Sequence, residues 1–485
     1  MIPLLTAAEI RAAEEPVLAA TPEGTLMQRA ATGLATVCTR LLGAVYGRRV
    51  VLLVGTGNNG GDVLFAGAHL ARRGARVTAV LLDTGRAHAT GLAALRRAGG
   101  RVLTTDAAAV IGRAELVLDG MLGIGGRGSL RPEAAGLARL AGASAALTVA
   151  VDIPSGIDAD TGAVDGAAFP AMHTVTFGAV KPGLVVGEGR GYAGEVHLVD
   201  IGLDLPAARA FRLTDADVAA RLPLPSAGDD KYSQGVVGIV AGSATYPGAA
   251  VLCTGAALRT RPGHVRYAGT AADGVRVAWP EAIVTERRPG DAGRVQAWVI
   301  GPGMGTDDDA RSVLAEVLAT DLPVVVDADA LTIAAREQDL VRGREAPTLL
   351  TPHDREFERF GTDVGTDRIG AARRLAADLG CSVLLKGDAT VVAGPDGTAF
   401  VNGTGTPWLA TAGTGDVLSG IAGSLLATGL PAAEAGAVAA HLHGRTGQLA
   451  AERGPLLAGD LVRRLPEAIG RVRGVPARRL GDSEA

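Results

Sequence analysis

"VLLVGTGNNGGDVLFAG", Val51 to Gly67, passes from an apolar run through two glycines, two asparagines, two more glycines and an aspartate into a second apolar stretch. The local reading is a buried strand, a glycine-rich turn and a helix from about Val63. Glycines let backbone approach a ligand closely, and a helix N-terminus offers free N–H groups and a positive dipole end to an anion. The stretch lacks both the P-loop lysine and the GxGxxG spacing. Asn58, Asn59 and Asp62 therefore need their own explanation, either as turn and helix caps or as ligand-binding groups.

Working outward, the same alternation recurs from Arg48 to about Leu203: "RRVVLLVG", "ARVTAVLL", "AELVLDGML", "ALTVAVDIP", "HTVTFGA" and "EVHLVDIG" are separated by alanine-rich helical stretches. Continuous apolar runs with helices between them indicate a parallel sheet covered on both faces. A second series follows a Pro-, Ala- and Asp-rich segment that carries a short helix after Thr214. It comprises "QGVVGIVAGS", "VQAWVIGPGMG", "LPVVVDADAL", "APTLLTPHD" and "CSVLLKGDATVVAG". The turn "GPDGTAF" adds a β-hairpin that the first half lacks. The fold class is α/β in two unlike domains, 1–212 and 213–485, the first a Rossmann-like doubly wound sheet.

Composition sets the outer limits. A chain of 485 residues exceeds one compact domain, and 47 % hydrophobic residues supply large cores. The formal net charge of −4 gives no general attraction to nucleic acid or acidic membranes. Cys38, Cys253 and Cys381 are far apart and form no CxxC pair, which suits a reducing compartment. The acidic N-terminus is not a secretory signal, and no apolar run approaches the ~20 residues of a membrane span. A cytoplasmic protein is expected, with no nucleic-acid or membrane partner; homo-oligomer formation is expected too.

Four segments of the first half fall just beyond strand ends, where open α/β sheets bind ligands: "GTGNNGGD" (Gly55–Asp62), "LDGMLGIGGRG" (Leu118–Gly128), "VDIPSGID" (Val151–Asp158) and "FGAVKPG" (Phe177–Gly183). The oxygens of Asn59, Asp119 and Ser155 make a hard-ligand set suited to an alkali or alkaline-earth cation; the alternative is a set of loop-bracing hydrogen bonds. Asp152 is placed for acid/base work or for bracing a loop. Lys181 either pairs with it, contacts a phosphate, or is an ordinary surface lysine.

In this order, "GTGNNGGD", "DGMLGIGGRG", "VDIPSGIDADTG" and "KPG" resemble the NAD(P)H-hydrate epimerase domain, the YjeF-type N-terminal fold, over roughly residues 1–212. The resemblance implies that Asn58, Asn59, Gly60, Gly61 and Asp62, together with Gly123, Ile124, Gly125, Gly126, Arg127, Gly128 and Ser129, contact a hydrated nicotinamide nucleotide. Asp152 would touch the same ligand, and Asn59, Asp119 and Ser155 would bind potassium. Val63 stands where the family loop usually has another glycine.

In the second half, "AGTGD" runs into an apolar helix, so N–H groups at Gly413, Thr414 and Gly415 can face a phosphoryl group while Asp416 points at a reacting hydroxyl. The alternative is a glycine turn with Asp416 as an N-cap. A helix N-terminus favours the anionic aspartate and weakens it as a base, whereas ligand phosphates oppose that effect. "LLKGDATVV" puts Lys386 and the turn after it where a nucleotide phosphate could rest, and "TPHDREF" puts His353 at a strand end.

These segments, with "YPGAAVL", "GPGMGTD" and "VVVDADAL", resemble the ribokinase-like ADP-dependent NAD(P)H-hydrate dehydratase domain over roughly residues 225–463. The resemblance implies that Ala250, Gly303, His353 and Asp416 lie near the hydrate, and that Lys386, Gly387, Asp388, Ala389, Thr390 and Gly415 lie near the adenine nucleotide. "TPW" (Thr406–Trp408) and Ala412 depart from the usual family loops. The joint expectation is cofactor repair, with ADP as co-substrate and magnesium accompanying it. R and S hydrates would be interconverted in the first domain, with Asp152 and Lys181 at the chemistry. The S form would be dehydrated in the second through Asp416. The rival readings are a small-molecule kinase fused to a nucleotide-binding domain and a non-catalytic nucleotide-binding protein.

Overall fold

The computed structural model describes residues 1–103, 106–126, 128–222, 228, 234–260, 263–452 and 454–475. It divides into two compact units, Pro3–Ala208 and Arg209–Ala485, the latter including Met1–Ile2.

In the first unit seven strands form one parallel sheet: β1 (Arg49–Val54), β2 (Arg76–Leu81), β3 (Arg101–Leu103), β4 (Leu116–Gly120), β5 (Leu147–Val151), β6 (His173–Phe177) and β7 (Glu195–Val199). Their order is β3-β2-β1-β4-β5-β6-β7. Successive side chains of a strand point to opposite faces, and here both faces are apolar cores. Val50, Leu52 and Val54 join one cluster with helix α1 (Thr25–Leu42), whereas Val51 and Leu53 join another with the helix Pro132–Gly142. Double coverage explains why β1 reads as an unbroken apolar run. The order reverses between β1 and β4, which opens a crevice beyond their carboxyl ends.

One expectation needs correction. Helix α2 spans Asn58–Arg72 and does not wait for Val63, with extended Gly57 as its N-cap. "NNGGD" is thus the first turn and a half of a helix, and Asp62 is no cap. Gly60 and Gly61 look like loop residues but serve packing. A Cβ on Gly60 would lie 2.2 Å from the Gly55 carbonyl oxygen, and one on Gly61 would lie 2.7 Å from the Met27 side chain.

The second unit carries β8 (Ala210–Arg212), β9 (Val236–Val240), β10 (His264–Ala268), β11 (Ile283–Thr285), β12 (Ala297–Ile300), β13 (Val324–Val326), β14 (Thr348–Leu350), β15 (Ser382–Leu385), β16 (Val391–Ala393) and β17 (Ala399–Val401). The order of these strands is β8-β17-β16-β15-β14-β13-β12-β9-β10-β11. Pairing is antiparallel at β15/β16 and β16/β17, where "GPDGT" turns the hairpin, and parallel from β10 to β15. The sheet order reverses between β9 and β12.

Helices α3 (Pro247–Thr260) and α4 (Thr414–Leu426) pack closely on this sheet. Gly420 makes that approach possible, since a Cβ there would meet the Cys253 carbonyl oxygen at 2.3 Å; at Gly423 it would meet Val299 at 2.0 Å. The short helix after Thr214 is present, Asp215–Arg221, closed by a capping box between Thr214 and Asp217. Cys38, Cys253 and Cys381 are buried free thiols, pushed up by burial, to about 12 for Cys38 and Cys381. Among the described residues no helix is long and apolar enough to cross a membrane.

Candidate active sites

In the first unit the four motif segments follow β1, β4, β5 and β6, side by side at one end of the sheet. Asp152 follows β5 with φ +66°, a left-handed conformation that aspartate tolerates better than most residues. Its carboxylate receives the Lys181 ammonium at 2.5 Å. Lys181 also donates to Thr176 Oγ1 at 3.0 Å and to the Phe177 carbonyl oxygen at 2.9 Å, which satisfies all three protons of an ammonium. At 1 % exposure it is no surface lysine.

Asp62 is also buried. Burial, then the charges of Asp152 and Glu14, push its carboxyl well above the ordinary range. Glu14, from the helix Ala7–Ala20, is pushed up by burial and by Asp152, against Lys181 and Arg11. Three carboxyl groups and one ammonium therefore share this crevice, where burial and neighbouring charge favour the neutral form of Asp62 and Asp152 is paired with Lys181. Sequence reading assigned nothing to Glu14 or Thr176. Glu14 comes from an amphipathic helix far upstream, where no local pattern distinguishes it from Glu9 or Glu15.

Asn59, Asp119 and Ser155 meet around the peptide of Leu122. Ser155 donates its N–H to Asp119 Oδ2 at 2.8 Å and its hydroxyl to Oδ1 at 2.7 Å, and Met121 N–H reaches Oδ1 at 3.1 Å. Leu122 N–H donates to Ser155 Oγ at 2.9 Å. Asn59 Nδ2 donates to the carbonyls of Leu122 at 2.7 Å and Val151 at 2.9 Å. Burial lifts Asp119 to about 6 despite the bonds from Ser155 and Met121. Gly123 to Gly126 form a turn closed by Gly126 N–H on the Gly123 carbonyl at 2.8 Å, with Ile124 held by Arg11 at 3.0 Å. Asn58, Gly125, Gly128 and Ser129 are exposed along this rim, and Arg127 lies outside the described residues.

The second unit repeats the logic with other residues. Asp327, at the end of β13, is fully buried and accepts from Lys386 Nζ at 2.8 Å, Thr351 Oγ1 at 2.8 Å and Ser419 Oγ at 2.7 Å. Burial opposes its charge, but Lys386 and these bonds hold the carboxyl below the ordinary range. Lys386 sits after β15; burial opposes its charge too, yet Asp327 and Glu356 raise it above the ordinary lysine. Its ammonium backs the glycine loop, 3.6 Å from where a Cβ of Gly415 would stand.

Asp416 is the third residue of α4, whose N-cap is Gly413 at φ +85°, so it is not an N-cap. Burial, followed by the charge of Asp327, lifts it to about 7, with Lys386 opposing and Asp329 adding to the rise.

The remaining positions are spread over other elements of the second unit. Ala250 is buried in the first turn of α3, and Gly303, at φ +63°, packs on that turn, a Cβ there meeting Ala249 and Tyr246 at 3.0 Å. His353 is the N-cap of the helix Asp354–Glu358, its Nδ1 accepting from Glu356 N–H at 3.3 Å. Thr414 anchors the loop on the carbonyls of Leu409 and Thr411. Gly387 and Asp388 are exposed after β15, whereas Ala389 and Thr390 are buried, and Thr390 donates to the Gly387 carbonyl at 3.3 Å. Asp327, Glu356 and Ser419 were missed as a group. The available signal was the strand-end aspartate of "VVVDADAL", which matches that of "VAVDIP".

Residues 23–183 match the profile of the YjeF-related protein N-terminus, and residues 237–469 match that of NAD(P)H-hydrate dehydratase. A bifunctional NAD(P)H-hydrate repair enzyme of Mycobacterium leprae is 53 % identical over 454 residues, covering 92 % of this chain and 94 % of that one. Its Mycobacterium tuberculosis counterpart is 54 % identical over 433 residues, covering 88 % and 90 %. A solved ribokinase-like superfamily protein of Enterococcus faecalis, 25 % identical, overlays 56 % of this chain and 99 % of its own with a TM-score of 0.50. The chain belongs to the family of bifunctional NAD(P)H-hydrate repair enzymes.

Proposed function

We propose that the chain restores hydrated nicotinamide cofactors. The first unit interconverts the R and S epimers of NAD(P)H hydrate; the second dehydrates the S form, converting ADP to AMP and phosphate. One observation carries this reading. Each unit gathers, beyond its strand ends, a buried lysine–aspartate pair beside another carboxyl raised by burial: Lys181–Asp152 with Asp62, and Lys386–Asp327 with Asp416. Such unequal carboxyl groups supply an acid and a base at one pH.

In the first unit the hydroxylated ring carbon is bonded to the ring nitrogen, so its C–O bond breaks once the hydroxyl is protonated. Protonated Asp62 supplies that proton. Asp152, oriented by Lys181, takes one from the water that re-adds on the other face. Potassium is part of this proposal. With its amide turned by 180°, Asn59 would present Oδ1 beside the Leu122 and Val151 carbonyls and Ser155 Oγ, an all-oxygen set beside Asp119 that only a cation would make stable. The bound ion would fix the ends of β4 and β5 and neutralise Asp119.

In the second unit Asp416 takes the proton of the hydrate's hydroxyl as that oxygen accepts the terminal phosphoryl group of ADP and AMP departs. Phosphate then leaves with its bonding electrons while a neighbouring ring proton is lost, restoring the double bond. Lys386 and the N–H groups at Gly413 to Gly415 stabilise the transferring charge. Magnesium would arrive on the nucleotide's phosphates and is assigned no protein ligand.

The test mixes both epimers with ADP, ATP or no nucleotide and follows the near-ultraviolet absorbance of the reduced cofactor. Absorbance should return with adenine nucleotide, fail in Asp416→Asn, and return for the S form alone in Asp152→Ala. Accumulation of a stable phosphorylated product without returning absorbance would replace this reading with a kinase.

A further inference from the structure

We propose that His173, Glu195 and His197 form a binding site for one divalent transition-metal ion of zinc-like softness, at the end of the first unit's sheet away from the epimerase crevice. The sheet register builds it. His173 opens β6 and is paired with Glu195, which opens β7, and Val175 is paired with His197. His173, Glu195 and His197 thus project from the same face of two adjacent parallel strands. Their ligand atoms converge, all lying within 4.8 Å of one another. His173 Nδ1 stands 3.0 Å from His197 Nε2 and 3.5 Å from Glu195 Oε2. A tetrahedral ion with bonds of about 2.0–2.1 Å needs ligand atoms about 3.3 Å apart, so these spacings bracket the requirement.

The chemistry suits the ion. Two imidazoles and one carboxylate are a borderline-soft N2O set, preferred by zinc, cobalt or copper over magnesium or calcium. An imidazole ligates through the lone pair of a neutral ring nitrogen. The Arg40 guanidinium opposes a cation here, and the Glu195 carboxylate offsets it. The side chains are graded in exposure, His173 at 17 % and Glu195 at 70 %, leaving a path for the ion and room for water in a fourth position. β7 is the outermost strand of its sheet, and His197 lines a groove of about 970 Å³ along α1. Bound there, the ion would clip the edge strand to its neighbour. A plain imidazole–imidazole hydrogen bond beside a solvated glutamate is the competing account.

The experiment uses the full-length chain without a polyhistidine tag, stripped with chelator and titrated with Zn²⁺ against a chromophoric competitor. One equivalent should bind per chain, and the thermal midpoint should rise with Zn²⁺. His173→Ala and His197→Ala should each weaken binding by at least about tenfold and abolish the midpoint shift, whereas Asp152→Ala should keep both. Copper substituted into the wild-type protein should show hyperfine coupling to two imidazole nitrogens, a reading that needs no variant. Absence of stoichiometric binding, binding unchanged in the correctly folded histidine variants, or copper spectra without imidazole coupling would each overturn the site.

Discussion

Asp416 carries the sharpest consequence at the scale of single residues. Its carboxyl is lifted to about 7, chiefly by burial, so the folded protein holds a proton there that the unfolded chain releases near its ordinary value of 3.8. Stability therefore declines as pH rises through that window, and above it the buried charge is a standing cost. Asp416→Asn should leave stability unchanged near pH 3.5 and raise it by about 4 kcal/mol at pH 8, read by denaturant titration. The same group as base predicts a dehydration rate that climbs about tenfold per pH unit below about 7, then flattens. A rate independent of pH from 5 to 8 would remove Asp416 from that role. Lys181 behaves oppositely, because all three of its protons are used and its partner is buried with it. Lys181→Met should cost about 3–5 kcal/mol by stranding the Asp152 charge, and Asp152→Asn added to it should recover much of that loss. Losses that simply add in the double variant would show that the pair is not coupled.

At the scale of elements, α2 shows what was legible and what was not. β1 was plain because both of its faces are buried and its residues run apolar without a break. The start of α2 was not, because the low helix propensity of "NNGG" reads as a loop until the packing is seen. Gly60 sits against the Gly55 carbonyl and Gly61 against Met27, constraints that come from other segments. Propensity alone predicts that Gly60→Ala strengthens the helix by about 1 kcal/mol. The structure predicts instead a loss of about 2–3 kcal/mol, since the new methyl overlaps backbone that cannot swing away; equilibrium unfolding decides the sign. The short strands β8, β10 and β11 escaped notice for a related reason: "AFR", "HVRYA" and "IVT" are brief or mixed with charge. Within the sites, the strand-end aspartates and glycine-led helices stood out locally. The cluster of Asp327, Glu356 and Ser419 draws on three separate elements, so only the fold brings it together.

At the scale of the whole chain, two open sheets each gather a buried lysine–aspartate pair beyond the carboxyl ends of their strands, and the two activities address successive states of one molecule. The repair reading makes the R hydrate a substrate only of the first unit and the S hydrate both a product of the first and the substrate of the second. If the S form passes through solution between them, the activities are separable in trans. Asp152→Ala alone should repair the S form and leave the R form to slow spontaneous epimerisation, while Asp416→Asn alone should repair neither. Mixed, with ADP and the R form supplied, the first variant contributes a working dehydratase and the second a working epimerase. Absorbance should then return well above the rate of Asp152→Ala at twice its concentration, and should depend on the concentration of each variant. A mixture no faster than Asp152→Ala alone, with each variant active in its intact half, would mean that the epimer is not released, and free diffusion of the S form would have to be abandoned.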